Sequence, residues 1–116
     1  MALIGEVTKE LSQLNFKKWT TTLTAGGAVP DDVSYVQLNS TTKIEATIAA
    51  PRAGRYLVIT QIDAGTAGHT VTMTAGDYNG SNSVATFDAA EETLVLLGVS
   101  ATRFVIISNI GSVGLS

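Results

Sequence analysis

The chain has 116 residues, the size of one domain with a single core. Its net charge of −3, from 7 basic and 10 acidic residues, offers no clustered cations for phosphate and argues against DNA or RNA as a partner. It has no cysteine, which excludes disulfide staples and thiolate metal sites, and no apolar run of the roughly eighteen residues that a membrane span requires.

Charged residues make up 15% of the chain, against about 25% in an average soluble protein. Charge is depleted at the centres of interfaces, so this reads as surface given over to self-association. The other reading is that Thr and Ser solvate the strand faces in place of charge. At the N-terminus, MALIGEVTKELSQLNF carries acids where a secretory signal would have an unbroken apolar core, so no signal peptide is expected. Val7, Leu11 and Leu14 fall at i, i+4 and i+7, which lines one side of a short helix, with Glu6 and Glu10 opposite. So short a helix needs something to lie against, its own domain or a neighbour, and an extended arm fits as well. The predicted organisation is an arm or short helix over residues 1–18 and a β domain over 19–116.

From Trp19 onward the pattern is β. Residues 17–24 (KKWTTTLT) form the first expected strand, ended by Ala25-Gly26-Gly27, and Pro30-Asp31-Asp32 a loop. Residues 33–39 and 43–50 follow; in the second, Ile44, Ala46 and Ile48 face inward and Glu45 and Thr47 outward. After the break at Pro51 come five runs rich in Val, Ile, Thr and aromatics: GRYLVITQID, HTVTMTAG, SVATF, ETLVLLGVS and TRFVIISN, with SVGLS last. Turns such as Gly76-Asp77 and Asn79-Gly80 separate them. HTVTMTAG alternates, with Val71, Met73 and Ala75 on one face and Thr70, Thr72 and Thr74 on the other. The strands at 93–100 and 102–108 are apolar on both faces, which in an antiparallel fold means that something covers the outer one: the arm, a loop or another subunit. About eight short strands at ten-residue spacing predict an all-β fold, an antiparallel β-sandwich or jelly roll. No fixed period marks a solenoid.

Reactive groups are sparse. His69 is the only histidine, so a jelly-roll metal site with two or three His is not expected, and His69 is read as hydrogen-bonding a loop. Glu91 and Glu92 are adjacent; on a strand they point to opposite faces and make no acid/base pair, and they read as a solvated turn. Asp63, Asp77, Asn79, Asn82 and Asp88 are oxygen-rich, but their spacing matches no calcium loop and turns account for them. No phosphate-binding glycine motif is present, and neither a cofactor nor a metal is expected. Trp19, the sole tryptophan, is either an interface anchor or a core plug. Tyr35, Tyr56 and Tyr78 would stack on a sugar if they met on one surface, and otherwise belong to the core or its rim.

Over residues 51–116, the Gly54-Arg55-Tyr56 opening strand, the Gly68-His69-Thr70 hairpin, the Asn79-Gly80 turn and the Thr102-Arg103-Phe104 strand resemble small structural proteins of tailed-phage virions. The likeness in texture is to jelly-roll decoration (cement) proteins and fibre-tip domains. It implies a non-enzymatic homotrimer on the capsid surface, made in the host cytoplasm, that binds the major capsid protein and stabilises the mature head. In that role the arm, with Leu3, Ile4, Val7, Leu11, Leu14, Phe16 and Trp19, would grasp the capsid. Leu94, Leu96, Phe104 and Ile106 would supply the subunit contact. The alternatives are a glycan- or receptor-binding tip, which requires exposed Tyr or Trp beside Asp or Asn in a groove, and a small enzyme, which requires His69 beside a carboxylate in a pocket.

Overall fold

A computed structural model of the chain describes residues 19–63 and 68–116. The expected arm at 1–18 lies outside the described residues, as do the contact residues Leu3, Ile4, Val7, Leu11, Leu14 and Phe16. The rest is all-β. Eleven strands are described: β1 (Thr20–Leu23), β2 (Gly27–Ala28), β3 (Tyr35–Leu38), β4 (Glu45–Ile48), β5 (Tyr56–Gln61), β6 (His69–Met73), β7 (Asp77–Tyr78), β8 (Val84–Phe87), β9 (Thr93–Gly98), β10 (Arg103–Ile110) and β11 (Gly114–Leu115). Nine correspond to runs anticipated from side-chain pattern. The two-residue strands β2 and β7 occupy Gly-rich stretches that read as turns, because two residues are too few to show alternation.

The strands form two mixed sheets, ordered β1-β3-β5-β9-β10-β7 and β11-β8-β6-β4-β2. From β1 to β6 each strand lies in the opposite sheet from the one before. Within each sheet, these strands pair in parallel: β1 with β3 and β3 with β5, β2 with β4 and β4 with β6. This winding is solenoid-like. It departs from the antiparallel sandwich or jelly roll expected from sequence, and antiparallel pairs appear only around β8, β9 and β11. The coils are unequal. Thr20 pairs with Tyr35, 15 residues on, and Tyr35 with Val58, 23 on; Gly27 pairs with Ala46, 19 on, and Ala46 with Val71, 25 on. Loops of different length absorb the differences, so no fixed period exists to be read.

Alternation within each strand sends one set of side chains between the sheets. Val36, Leu38, Leu57, Ile59, Leu94, Leu96 and Phe104 enter from the six-stranded sheet; Ala46, Ile48, Val71, Ala85 and Phe87 enter from the other, and all are buried. Ile44, Ala46 and Ile48 face inward as their alternation predicts. Tyr78 stacks on Phe104 with ring centroids 6.5 Å apart, and its hydroxyl donates to Val71 O at 3.0 Å. Each buried Val, Leu, Ile or Phe contributes about 1.5–3 kcal/mol, which makes the interlayer the source of stability.

At the Asn79-Gly80 turn, Asn79 (φ 54°) and Gly80 (φ 93°) adopt the left-handed region that Asn and Gly tolerate best. The Asn79 side chain then accepts from Ile106 N at 2.9 Å, and Asp77 Oδ1 accepts from Gly80 N at 2.6 Å. These contacts hold short β7 against β10.

Candidate functional site

Three clusters of polar or exposed side chains stand out. The first is internal. His69 has no exposed surface, and its Nδ1 accepts from Ile44 N at 2.9 Å. A backbone N–H can only donate, so the ring proton sits on Nε2, 3.0 Å from Asp63 Oδ1. Asp63 Oδ1 also accepts from Ser40 N, and Oδ2 from Gln61 Nε2. His69 does stand beside a carboxylate, as the enzyme reading requires, but both ring nitrogens are engaged and no solvent reaches them. The cluster ties the end of β5 to the start of β4 and β6. Likewise, Glu92 is buried, contrary to the solvated turn expected of it: its Oε1 accepts from Asp88 N at 2.7 Å and Ala89 N at 3.1 Å, closing the loop before β9. Glu91 alone is exposed, with φ 68°.

The second cluster lies in a cavity of about 340 Å3 lined by residues 31–34 and 52–56. Asp31 Oδ1 takes a hydrogen bond from Arg52 Nη1 at 2.9 Å and another from Arg55 Nη1. The Arg52 hydrogen bond holds the Asp31 carboxyl below the usual carboxylate range, against a smaller opposing effect of burial. Arg55 is buried, which lowers its pKa despite the Asp31 charge; its Nη2 donates to Pro30 O and Val33 O. This turn sits directly over Gly98 of β9. Gly54 N donates to Gly98 O at 2.8 Å, and Gly98 N to Arg55 O at 2.6 Å.

The third is the outer face of the six-stranded sheet. Cross-strand register sorts it into rows: Tyr56–Leu97–Val105, Thr20–Tyr35–Val58–Val95, and Thr22–Gln37–Thr60–Thr93. The third row is polar and bonded along itself, Thr22 Oγ1 to Gln37 at 3.0 Å and Thr60 Oγ1 to Thr93 Oγ1 at 3.1 Å. The first two are largely apolar. Ile107, extruded by a bulge in β10, is 57% exposed, and Tyr56 is 50% exposed. In contrast, the outer face of the five-stranded sheet carries Glu45, Thr47, Thr70, Thr72 and Thr86, with Val84 its one aliphatic residue of β4, β6 and β8. One sheet turns mainly threonines to water, and the other adds rows of aliphatic and aromatic side chains to its threonines.

The residues expected to form the subunit contact fall on the wrong side of these strands for that purpose. Leu94, Leu96 and Phe104 have no exposed surface and Ile106 packs against the core, because alternation points them between the sheets. The outward residues of the same strands include Thr93, Val95, Leu97, Arg103, Val105 and Ile107. Trp19 is exposed at the margin of the face. Of the three tyrosines, Tyr35 and Tyr56 share that face and Tyr78 is core, where burial pushes its pKa upward. Among the described residues, no three His, Asp or Glu side chains converge as a metal site would require. Compared with protein-family models and with curated proteins, the chain matches none.

Proposed function

We propose that the chain is a non-enzymatic structural protein of a phage-type virion. It decorates and reinforces the head as a homotrimer whose subunits meet through the Val95, Leu97, Val105 and Ile107 half of the outer sheet face. The observation that carries the reading is the contrast between the two outer faces. Both belong to one two-layer fold, yet only one carries rows of aliphatic and aromatic side chains, including an isoleucine extruded by a bulge, with its charges confined to the Asp77–Arg103 pair at the β7 edge. Apolar surface of this kind, rimmed by hydrogen-bonded Thr and Gln, is what a subunit contact needs.

The solenoid-like winding is not the jelly roll that the decoration-protein resemblance implies, and the reading rests on the apolar outer face. A trimer of weakly binding subunits gains effective concentration over a capsid three-fold point. Binding only the mature lattice then stabilises it by mass action, and the major capsid protein is the partner in this reading. The described chemistry suits that passive role, since the one histidine is locked in the core.

Size-exclusion chromatography with light scattering tests the contact. The wild-type chain is expected at three times its 12.0 kDa mass, and Leu97→Glu or Val105→Glu at the monomer mass with the fold retained. Co-sedimentation with expanded phage heads then tests the capsid. A wild-type monomer at tens of micromolar, or glutamate variants that remain trimeric, would remove the proposed contact; a trimer that ignores heads would remove the decoration role.

A further inference from the structure

The six aromatic side chains of the described residues divide evenly. Tyr78, Phe87 and Phe104 are core. Trp19, Tyr35 and Tyr56 line a single groove of about 570 Å3 on the outer sheet face, completed by Ser34, Val58 and Thr60. The groove contains rings and hydroxyls but no charge. At one end it shares Ser34 and Tyr56 with the 340 Å3 cavity that holds Asp31, Asp32 and Arg52.

We propose that groove and cavity together form a saccharide-binding site, in which a pyranose ring stacks on the aromatic groove and turns its hydroxyls to the Asp31–Arg52 rim. A pyranose has a flat C–H face and a hydroxyl edge. The negative faces of aromatic rings match the first, and charged groups in fixed positions match the second, because hydrogen bonds to ionised partners are the stronger ones. The rim is preorganised. Arg52 grips Asp31 twice, through the carboxylate at 2.9 Å and the backbone carbonyl at 3.1 Å, while Arg55 is held from below by Pro30 O and Val33 O. Gln37 Nε2 donates to the Tyr35 hydroxyl at 3.3 Å, which fixes that ring on the groove wall. Sites that need little ordering on binding lose less entropy.

Other occupants fit less well. A nucleobase also stacks on aromatic rings, but it brings phosphate, and Asp31 and Asp32 cancel the charges of Arg52 and Arg55 at that end of the groove. An acyl chain would fill the groove and leave the charged end unmatched. The groove takes no lining residue from β9 or β10, and Tyr56 and Val58 stand next to Leu97 and Val95 of the proposed subunit contact.

Trp19 is the only tryptophan, so its fluorescence and its single indole N–H signal in a proton–nitrogen NMR spectrum report on the groove directly. The full chain is titrated with cellohexaose, chitohexaose, maltohexaose and mannohexaose. The expected result is a saturable change in both signals with at least one of them, about tenfold weaker in Tyr56→Ala, as the loss of one aromatic contact would produce. Thr72→Ala, on the outer face of the five-stranded sheet, should leave the titration unchanged. Silence of both wild-type signals with all four sugars at millimolar concentration overturns the proposal, whether or not the variants fold. So does a response that Tyr35→Ala/Tyr56→Ala leaves intact, or an indole already shielded from acrylamide in the free protein.

Discussion

Gly98→Ala is the substitution for which the structure gives the sharpest expectation. A Cβ built on Gly98 would lie 2.0 Å from the Arg52 carbonyl oxygen and 3.1 Å from its carbon. Carbon and carbonyl oxygen come no closer than about 3.3 Å even in favourable C–H···O contacts, so the two backbones must part by about 1.3 Å. The atom in the way is main chain, and no rotamer change relieves it. Overpacking of this kind costs about 1–3 kcal/mol. Parting the chains also stretches the Gly54 N–Gly98 O and Gly98 N–Arg55 O bonds, worth about 1 kcal/mol each. The sum is about 3–5 kcal/mol, or a fall of roughly 12–20 °C in Tm for a chain of this size. Urea unfolding followed by circular dichroism measures it, together with a thermal scan at matched protein concentration. A loss under about 1 kcal/mol would show that the 51–55 turn moves freely over β9 and that the close approach is unimportant.

The buried Glu92 carboxylate satisfies two backbone N–H groups, so Glu92→Ala is expected to destabilise by about 2–3 kcal/mol, read by the same urea unfolding, while Glu91→Gly at φ 68° is expected to be neutral or stabilising. Asp31 is held below its ordinary pKa, so the stability it adds is present above about pH 4 and lost as pH falls through its folded value; the gap between wild type and Asp31→Asn should close in urea unfolding repeated below pH 4. Tyr78 has its pKa raised by burial, so its contribution is present below about pH 10 and lost above it, where the unfolded chain can ionise. Tyr78→Phe should therefore be about 1 kcal/mol less stable at pH 7, from the lost bond to Val71 O, and should lose less between pH 9 and 11 in thermal scans.

Strand positions were legible because alternation is a local signal. Ile44, Ala46 and Ile48 show it, and so do Val71 and Met73, whose neighbours are all threonine. Pairing direction was not legible. Nothing local in Tyr35–Leu38 says that its neighbours are Thr20–Leu23 and Tyr56–Gln61, both parallel, because direction is set by where the loops carry the chain. The two doubly apolar runs pair with each other as β9 and β10 in the six-stranded sheet. Which residues occupy their outer face was missed, since in LVLL and FVII both alternating sets are aliphatic and the sequence does not say which set points in. The outward set could have been found from Gly98: a glycine pressed under the 51–55 turn belongs with Leu94 and Leu96 on the inner register, which leaves Val95 and Leu97 outside. The meeting of Tyr35 with Tyr56 depends on parallel register and was out of reach. Glu92 was misread because a carboxylate capping backbone amides has the same sequence neighbourhood as a solvated one.

The alternate-sheet winding also governs how the chain folds. From β1 to β6 no strand can pair with the next, so every ladder in that half requires closing a loop of 15 residues or more before a contact is made. The β9–β10 hairpin is the one long antiparallel pair between successive strands, and it is the natural nucleus. High contact order on one side and a ready-made hairpin on the other predict slow folding, from milliseconds to seconds, that begins in the C-terminal half. The early strands then add to that template one coil at a time, with β1 and β2 completing the two sheets last.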